Sequence, residues 1–374
     1  MRLFDCCTPE AYTSSNRFLK GDIIRKKAPT IYDVAHHAQV SVSTVSRVLN
    51  GNSTVNDDLR ARVETAMRDL RFRPNRVAQT LYHHRSNTIG CILPDIVNPF
   101  FAQIFMQLEV GAFERGYTII LGNTISTRSL ERTYLHTLAE RQVDGLLFLG
   151  GMANDPAPLA EDLHLMQELA DRLPIVAVNG DLPQVNIVAS VRSDEAGGMQ
   201  ALIDHLHQQG HTDIAFLGGQ LDVTTSLEKL EVYRQACAPP HPEWEQLTGL
   251  TLDAGAQALQ GLLQAPAQPT AAVCINDLVA AGVLTAARER GLRVPQDLSL
   301  VGFDDIFVAQ VLAPRLTTIN HNYAEVARQA LDALLAGING QPPQRNITVP
   351  TLLIERESAI PRQPRRRRKA APVN

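Results

Sequence analysis

From residue 87 the chain falls into a rhythm that few folds can satisfy: short apolar runs alternate with longer segments of helical periodicity. NTIGCILPDI reads as a buried strand, NPFFAQIFMQLEVGAFERG as a helix closed by Gly116, and YTIILGNT as the next strand. The helix around Ser129–Gln142 leads to VDGLLFLGG, and the Pro158–Leu173 helix leads to PIVAVNG. A second set repeats the scheme. It runs through the helix Ala196–Gln209 closed by Gly210, the strand DIAFLGG, a helix near Leu227–Cys237, the strand AAVCIND, the helix Leu278–Arg290 closed by Gly291, and the strand LSLVGFDD. Strands this short and uniformly apolar are buried on both faces, which demands covering helices and parallel pairing. The expected architecture is α/β: doubly wound parallel sheets in two lobes, with a cleft at the carboxyl ends of the strands, where such sheets bind ligands.

At 374 residues the chain exceeds one ordinary core, so two to three domains are expected. With 44% hydrophobic and 20% charged residues, wholesale disorder is excluded. No apolar run approaches the roughly 20 residues of a membrane helix. The start, MRLFDCCTPE, lacks the basic-then-apolar order of a secretory signal. A cytoplasmic protein without membrane contact is therefore expected. The five cysteines include no CxxC pair, and Cys91 and Cys274 sit inside apolar runs, so no metal or cofactor is expected. The net charge of −4 conceals a division. Residues 1–89 hold 14 Lys and Arg against 8 Asp and Glu, residues 90–360 hold 15 against 31, and residues 361–374 hold 6 against none. A basic head on an acidic body confines contact with a polyanion to the head.

The head itself reads TIYDVAHHAQVSVSTVSRVLN over residues 30–50. Thr30 can cap a helix whose apolar positions Ile31, Val34, Ala35 and Ala38 share one face. Gln39-Val40 breaks the run, and Ser41 offers a second cap. In the next helix Val45, Val48 and Leu49 face inward, while Ser43, Thr44, Ser46 and Arg47 face out. Two short helices on a tight turn form a helix-turn-helix. A third helix begins at Asn56 and runs through Val63, Ala66, Met67 and Leu70, enough to enclose a small core. Hydroxyls and an arginine on an outward helix face can reach base edges in a DNA major groove; the same face could equally be a solvated side of a helical bundle. Pro74 ends the third helix, and Asn75–Leu81 follow as a short amphipathic run among Arg71, Arg73 and Arg76.

The run TIYDVA…VSVSTVSRVLN…PNRVAQTL resembles the DNA-binding head and hinge of the lactose-repressor (LacI) family at unbroken spacing. That resemblance implies that Val42, Ser43 and Arg47 read bases, and that Tyr32, Ser41, Thr44, Ser46 and Asn50 hold phosphates or support the groove contact. It implies that residues 75–81 form a hinge helix that folds on DNA. Asn75 and Ala78 would meet the duplex, and Leu81 would wedge into the minor groove at the centre of a palindrome. The plainer alternative for Leu81 is a linker residue packed on the body. One departure is Gln39, where the family usually carries Gly in the turn; a side chain at positive φ costs of order 1 kcal/mol.

The body is similar to the periplasmic-binding-protein-like body of the same family, so the resemblance spans residues 30–358. It implies three crossings between the lobes, near Val191, near Thr318–Asn322 and near Asn346. The expected map is a disordered leader over 1–28, the helix-turn-helix domain over 29–73, hinge and linker over 74–87, and an effector-binding and dimerisation body over 88–358. One lobe would take about 88–191 and 322–345, the other about 192–321 and 346–358. A disordered basic tail would fill 359–374. The tail lacks heptads, so no tetramer-forming bundle is expected. Candidate effector contacts follow the strands. Asp95, Asn98, Phe100 and Phe101 come after the first, although either phenylalanine could be core. By resemblance Asn179, Lys229, Asn276, Asp277 and Asp304 line the cleft. Lys229 stands where the family often has Arg, which loses a bidentate fork, and Asp277 could instead cap the helix that follows it.

The sequence therefore points to a sequence-specific DNA-binding transcriptional regulator, a repressor, acting as a homodimer on a palindromic operator. Its grip would be set by a small effector such as a sugar or nucleoside. The rival reading is a solute-binding protein for transport, which shares the body. An enzyme is disfavoured because GxSxG, HExxH and Walker motifs are absent.

Overall fold

The computed structural model describes residues 29–49, 55–72, 85–237, 241–342 and 344–362. They belong to two units, one ending at His84 and the other beginning at Arg85. The expected leader, the hinge run 75–81 and Asn50 lie outside the described residues.

The first unit carries three helices, α1 (Ile31–Ala38), α2 (Val42–Leu49) and α3 (Asp57–Asp69). Thr30 caps α1 through a reciprocal capping box with Asp33, satisfying two backbone donors at once. Ser41 Oγ accepts from Thr44 N at 3.2 Å and starts α2, and Asn56 Oδ1 accepts from Asp58 N at 3.0 Å and starts α3. Val34, Val45 and Val63, one from each helix, are wholly buried and meet at the centre with Ala35, Ala38, Val48 and Ala66. Each buried valine contributes about 1.5–3 kcal/mol, enough to fix so small a bundle. The turn is built on Gln39, whose φ of 54° is left-handed despite its side chain. Val40 N donates back to Ala35 O at 3.0 Å and closes α1. Arg62 on α3 donates to Ala38 O at 2.7 Å and Gln39 O at 3.2 Å, clamping the carbonyls that the tight turn exposes.

The second unit holds two parallel sheets. The first has six strands in the order β11-β5-β4-β3-β1-β2. These are β1 (Thr88–Leu93), β2 (Thr118–Asn123), β3 (Gly145–Leu149), β4 (Ile175–Val178), β5 (Ala189–Ser193) and β11 (Ile347–Val349). The second has the order β7-β6-β8-β9, made of β6 (Ile214–Leu217), β7 (Glu245–Gln246), β8 (Ala271–Cys274) and β9 (Ser299–Val301). Helices α4 (Pro99–Glu114), α5 (Arg128–Glu140) and α6 (Ala160–Ala170) accompany the first sheet. The second carries α7 (Glu195–Gln208), α8 (Thr224–Ala236), α9 (Leu252–Leu263), α10 (Asp277–Glu289) and α11 (Phe307–Val311). In both sheets the chain reverses its direction of winding beside the first strand, which opens a crevice at the strand ends. The faces of β3, β4, β6 and β8 are buried throughout, as their unbroken apolar runs require. Burial pushes the thiols of Cys91 and Cys274 up, as expected of unreactive core cysteines.

Three crossings join the lobes. The first is at Asp194, between β5 and α7. The second is at His321–Asn322, between β10 (Thr318–Asn320) and α12 (Tyr323–Ile338). The third is at Pro350–Thr351, between β11 and β12 (Leu352–Ile354). Helix α12 buries Val326, Ala327, Ala330, Leu331 and Leu334 against the first sheet, and β12 pairs antiparallel with β10. The outer crossings fall later in the chain than Val191 and Asn346. β5 continues to Ser193, and Ile347–Val349, expected in the second lobe, pair with Val191–Ser193 in the first sheet.

Both ends of the body also differ from expectation. Its fold begins before residue 88: Arg85 donates to Asn339 Oδ1 at 2.8 Å, and the backbone N–H groups of Ser86 and Asn87 donate to Asp144. Nor does the expected loose tail start at 359. Ala359 is buried, His211 Nε2 donates to Ile360 O at 2.9 Å, and Arg362 N donates to Gln209 O at 2.8 Å. The remainder of the tail, 363–374, lies outside the described residues. Among the described residues no helix is long and apolar enough to cross a membrane.

Candidate functional site

Two sets of polar residues stand apart from the cores. The first is the outer face of α2. Val45 and Val48 anchor the helix from behind, so the residues between them must face away. Ser41, Ser43 and Arg47 are exposed, Thr44 and Ser46 half-buried, and Tyr32 on α1 is 69% exposed. Ser41 Oγ lies 2.8 Å from both Ser43 Oγ and Thr44 Oγ1, a hydroxyl cluster at the α2 N-terminus. A helix start with exposed hydroxyls and free backbone donors suits a phosphate oxygen. Arg47 has no partner among the described residues, and its fork is free for an external acceptor. Val42 departs from the simple picture: it packs partly on the head core and presents only an edge. His37 on α1 is exposed and stands 3.3 Å from Asp69 on α3.

The second set fills the crevice of the body. Asn179 follows β4, and its side chain donates to Glu195 Oε1 at 3.1 Å. Ser193 Oγ donates to Asn179 Oδ1 at 2.8 Å and lies 2.6 Å from His321 Nδ1. His321 Nε2 donates to Asp304 Oδ1 at 3.0 Å, and Tyr323 OH donates to Asp304 O at 2.7 Å. Lys229 Nζ sits 2.8 Å from Glu195 Oε2, an ion contact, and 3.6 Å from the centre of the Phe303 ring. A continuous polar chain, Asp304–His321–Ser193–Asn179–Glu195–Lys229, thus runs between the lobes with every member buried. Thr351 Oγ1 at the third crossing donates to Asp194 O at 3.4 Å, so all three crossings are tied.

Electrostatics follow from this burial. Burial pushes the Glu195 carboxyl up, but Lys229, His321 and Asn179 outweigh it and hold the group below the usual carboxylate range. Asp277 is the reverse case. Burial, and then Asp304, push its carboxyl well up; the bonds from Thr318 Oγ1 and Ile306 N offset only part. The backbone is also under strain here: Asn179 has φ 51°, Asp304 110° and Asp305 54°. Such values cost of order 1 kcal/mol or more and persist where surrounding contacts over-determine them.

The expected cleft residues divide accordingly. Asn179, Lys229 and Asp304 lie together in the polar chain. Asn276 caps α10 through Val279 N and donates to Leu250 O, and so occupies the capping role considered for Asp277. Asp277 is fully buried with both oxygens bonded internally, from Ile306 N and Thr318 Oγ1, and braces the loops that carry them. Asn98 caps α4 and Asp95 accepts from Val97 N. Phe100 and Phe101 are half-buried on the first core, and the Phe100 ring lies 5.0 Å from that of His321, so it walls the crevice. Sequence reasoning missed Ser193, Glu195 and His321. Their only signal was position directly at a strand end, in VRSDE and TINHN.

Two inter-lobe contacts flank the chain: Arg192 on β5 pairs with Glu228 on α8 at 2.5 Å, and Thr224 Oγ1 donates to Asn154 O at 3.1 Å. Beside them a cavity of about 230 Å³ is lined by Asn154, Asp155, Gly180, Gln184, Arg192 and Thr224.

Known proteins share this arrangement. Residues 30–75 match the bacterial regulatory proteins of the lacI family, and residues 203–359 match the periplasmic binding protein-like domain. The chain is 33% identical over 321 residues to the HTH-type transcriptional repressor CytR of Escherichia coli K12, covering 85% of this chain and 92% of CytR. It is 34% identical over 344 residues to the ribose operon repressor of the same organism, covering 88% and 99%. A crystal structure of the Lac repressor dimer bound to operator and the anti-inducer ONPF superposes with a TM-score of 0.79 at 29% identity, covering 89% of this chain and all of that one. With its outward-facing α2, its two-lobed body and relatives matched over nearly their whole length, the chain belongs to the lacI family of bacterial regulatory proteins.

Proposed function

We propose that this chain is a cytoplasmic repressor of transcription that binds a palindromic operator as a homodimer and changes its grip when a small ligand enters the crevice of the body. The observation that carries the reading is the face of α2: Ser43 and Arg47 stand exposed on a helix whose other side is locked into a core. In the major groove such a helix reads base edges through Arg47 and Ser43, with the Val42 edge against a thymine methyl. Ser41, Thr44, Ser46, Tyr32 and Asn50 serve the phosphates. Asn75, Ala78 and Leu81 take the minor groove.

One head spans only a half-site, so two-fold symmetry is required of a protein that reads a palindrome. The body offers a surface for it: Met106, Val110 and Phe113 on α4 are 51%, 54% and 80% exposed and share one helical stripe. The Lac repressor relative is likewise a dimer on operator DNA. A transport protein for solutes, the rival with the same body, has no use for a DNA-reading head. Catalysis is not part of this reading.

Control follows from linkage. A ligand that binds one lobe arrangement better than the other shifts the heads between positions that do and do not match the half-sites. Gel-shift titration against DNA upstream of the chain's own gene tests the reading. Salt-sensitive binding to one palindromic fragment, lost on scrambling it, is expected; equal affinity for all fragments would overturn it.

A further inference from the structure

The crevice contains a basic residue that is already spent. Lys229 is 5% exposed, and its ammonium is enclosed on three sides: Glu195 Oε2 at 2.8 Å, the Phe303 ring at 3.6 Å and Ile275 O at 3.4 Å. Glu195 is itself 2% exposed and is held from its other oxygen by Asn179. A buried, hydrogen-bonded carboxylate beside an ammonium does not give way readily, because removing its partner leaves a bare charge in a medium that solvates it poorly.

The other cations around the crevice are compensated in the same way. Arg192 pairs with Glu228 at 2.5 Å, and Arg356 pairs with Asp305 at 2.5 Å while donating to Leu316 O. Asp304 adds a carboxylate whose Oδ1 accepts from His321; its Oδ2 has no protein partner among the described residues. An incoming phosphate would therefore find each of these cations satisfied and one carboxylate to spare. A neutral ring finds better terms. Asp304 Oδ2 can accept from a hydroxyl, and the half-buried Phe100 and Phe101 offer aromatic surface to an apolar face.

We propose that Glu195 sets the charge that the crevice admits: by holding the Lys229 ammonium it reserves the site for uncharged, hydroxyl-bearing ligands and closes it to phosphorylated ones. This rests on the crevice being the ligand site proposed above. Glu195 acts through Lys229 and is a positioning residue.

Inorganic phosphate is the probe, because it reports on the freed cation whatever the natural ligand is. In full-length wild-type protein, calorimetry at constant ionic strength should show no saturable phosphate binding. Glu195→Gln keeps the size of the side chain and its carbonyl for Asn179, but releases Lys229. It should bind phosphate at least about tenfold more tightly than wild type, and the double variant Glu195→Gln/Lys229→Met should lose that gain. Glu195→Asp, which withdraws the carboxylate by one methylene, provides the same comparison with a smaller gain if the amide variant fails to fold.

Saturable phosphate binding by wild type that disappears in Lys229→Met would overturn the proposal. So would a folded Glu195→Gln protein with no gain, or a wild-type protein that prefers ribose 5-phosphate to D-ribose. Operator affinity measured in the same samples separates the two readings. If phosphate binds Glu195→Gln without altering operator affinity, the charge assignment stands and control through the crevice falls.

Discussion

The face of α2 and the crevice of the body are both polar surfaces laid over an apolar core, yet they are finished in opposite ways. On α2 the functional groups point outward, and Arg47 has no partner among the described residues. In the crevice each polar side chain is buried and already bonded, from Asp304 through to Lys229. A surface that meets a long polyanion can leave its donors in water, because solvated groups cost nothing to keep and the counterions released on binding favour association. Buried side chains cannot leave donors unpaired as cheaply, since each orphaned group costs about 1–3 kcal/mol. Substitutions in the two places should therefore act differently: in the crevice they should change folding, on α2 only recognition.

The sharpest break of that contrast is Lys229→Met. It strands the Glu195 carboxylate in the interior and should destabilise the body by about 3–5 kcal/mol, read from denaturant midpoints. The double variant with Glu195→Gln removes both charges and should recover most of the loss. If the single variant is as stable as wild type, the pair is not buried as described.

A smaller effect is expected of Glu131 on α5, which is 6% exposed behind Gly151. Gly151 has φ 55°, which favours glycine, and a Cβ there would lie 1.9 Å from Glu131 Oε2, so the carboxyl would have to shift. Burial raises the Glu131 carboxyl from 4.5 to about 7, with the Met152 N–H pulling the other way. A carboxyl raised in the folded state stabilises it fully below about pH 4.5, and that stability drains away as pH rises through 7. The loss is on the order of 2–3 kcal/mol between pH 5 and 8, and Glu131→Gln should abolish the slope. Melting curves at the two pH values decide it; an unchanged slope would show that another group carries it.

On the head, Arg47→Ala should leave stability unchanged and relax preference at one or two base pairs by about 1–3 kcal/mol each. Uniform weakening on every sequence would make Arg47 a phosphate contact. The smallest effect belongs to the turn. Gln39→Gly removes the cost of a side chain at φ 54° and should stabilise the head by up to about 1 kcal/mol. Thermal melting of the full chain, following the head transition, would show whether the Arg62 clamp has already absorbed that cost.

The head was the more legible of the two regions in sequence. Its caps, its apolar periodicity and its outward hydroxyls all act within a few residues of one another, and Thr30, Ser41 and Val45 do what local rules predict. The sheets were legible for the same reason, down to the glycines that close α4, α7 and α10. The strands β7, β10 and β12 were not, because two or three residues hold no period and exist only through their partners; helix α9 does carry a helical period, with Ala254, Ala258, Leu259 and Leu262 buried on one face, and was overlooked. The crevice was legible in outline and not in wiring. His321 lies 128 residues from Ser193, and no local pattern announces such a bond. Lys229 could be placed at the crevice but not matched to Glu195, whose place at the start of α7 looks like an ordinary acidic first turn.

The threading of that polar chain through all three crossings has a consequence for how the protein responds in time and dose. His321 stands at one crossing, Ser193 and Glu195 flank another, and Thr351 ties in the third. Lobes that begin to part cannot loosen one link and keep the rest, because a half-open chain strands polar atoms away from water. Intermediate postures are the least comfortable ones, so the body behaves as a detent and not as a spring. Each molecule should hold one posture or the other, and ligand should change the share of molecules in each, no more steeply than the number of linked sites allows.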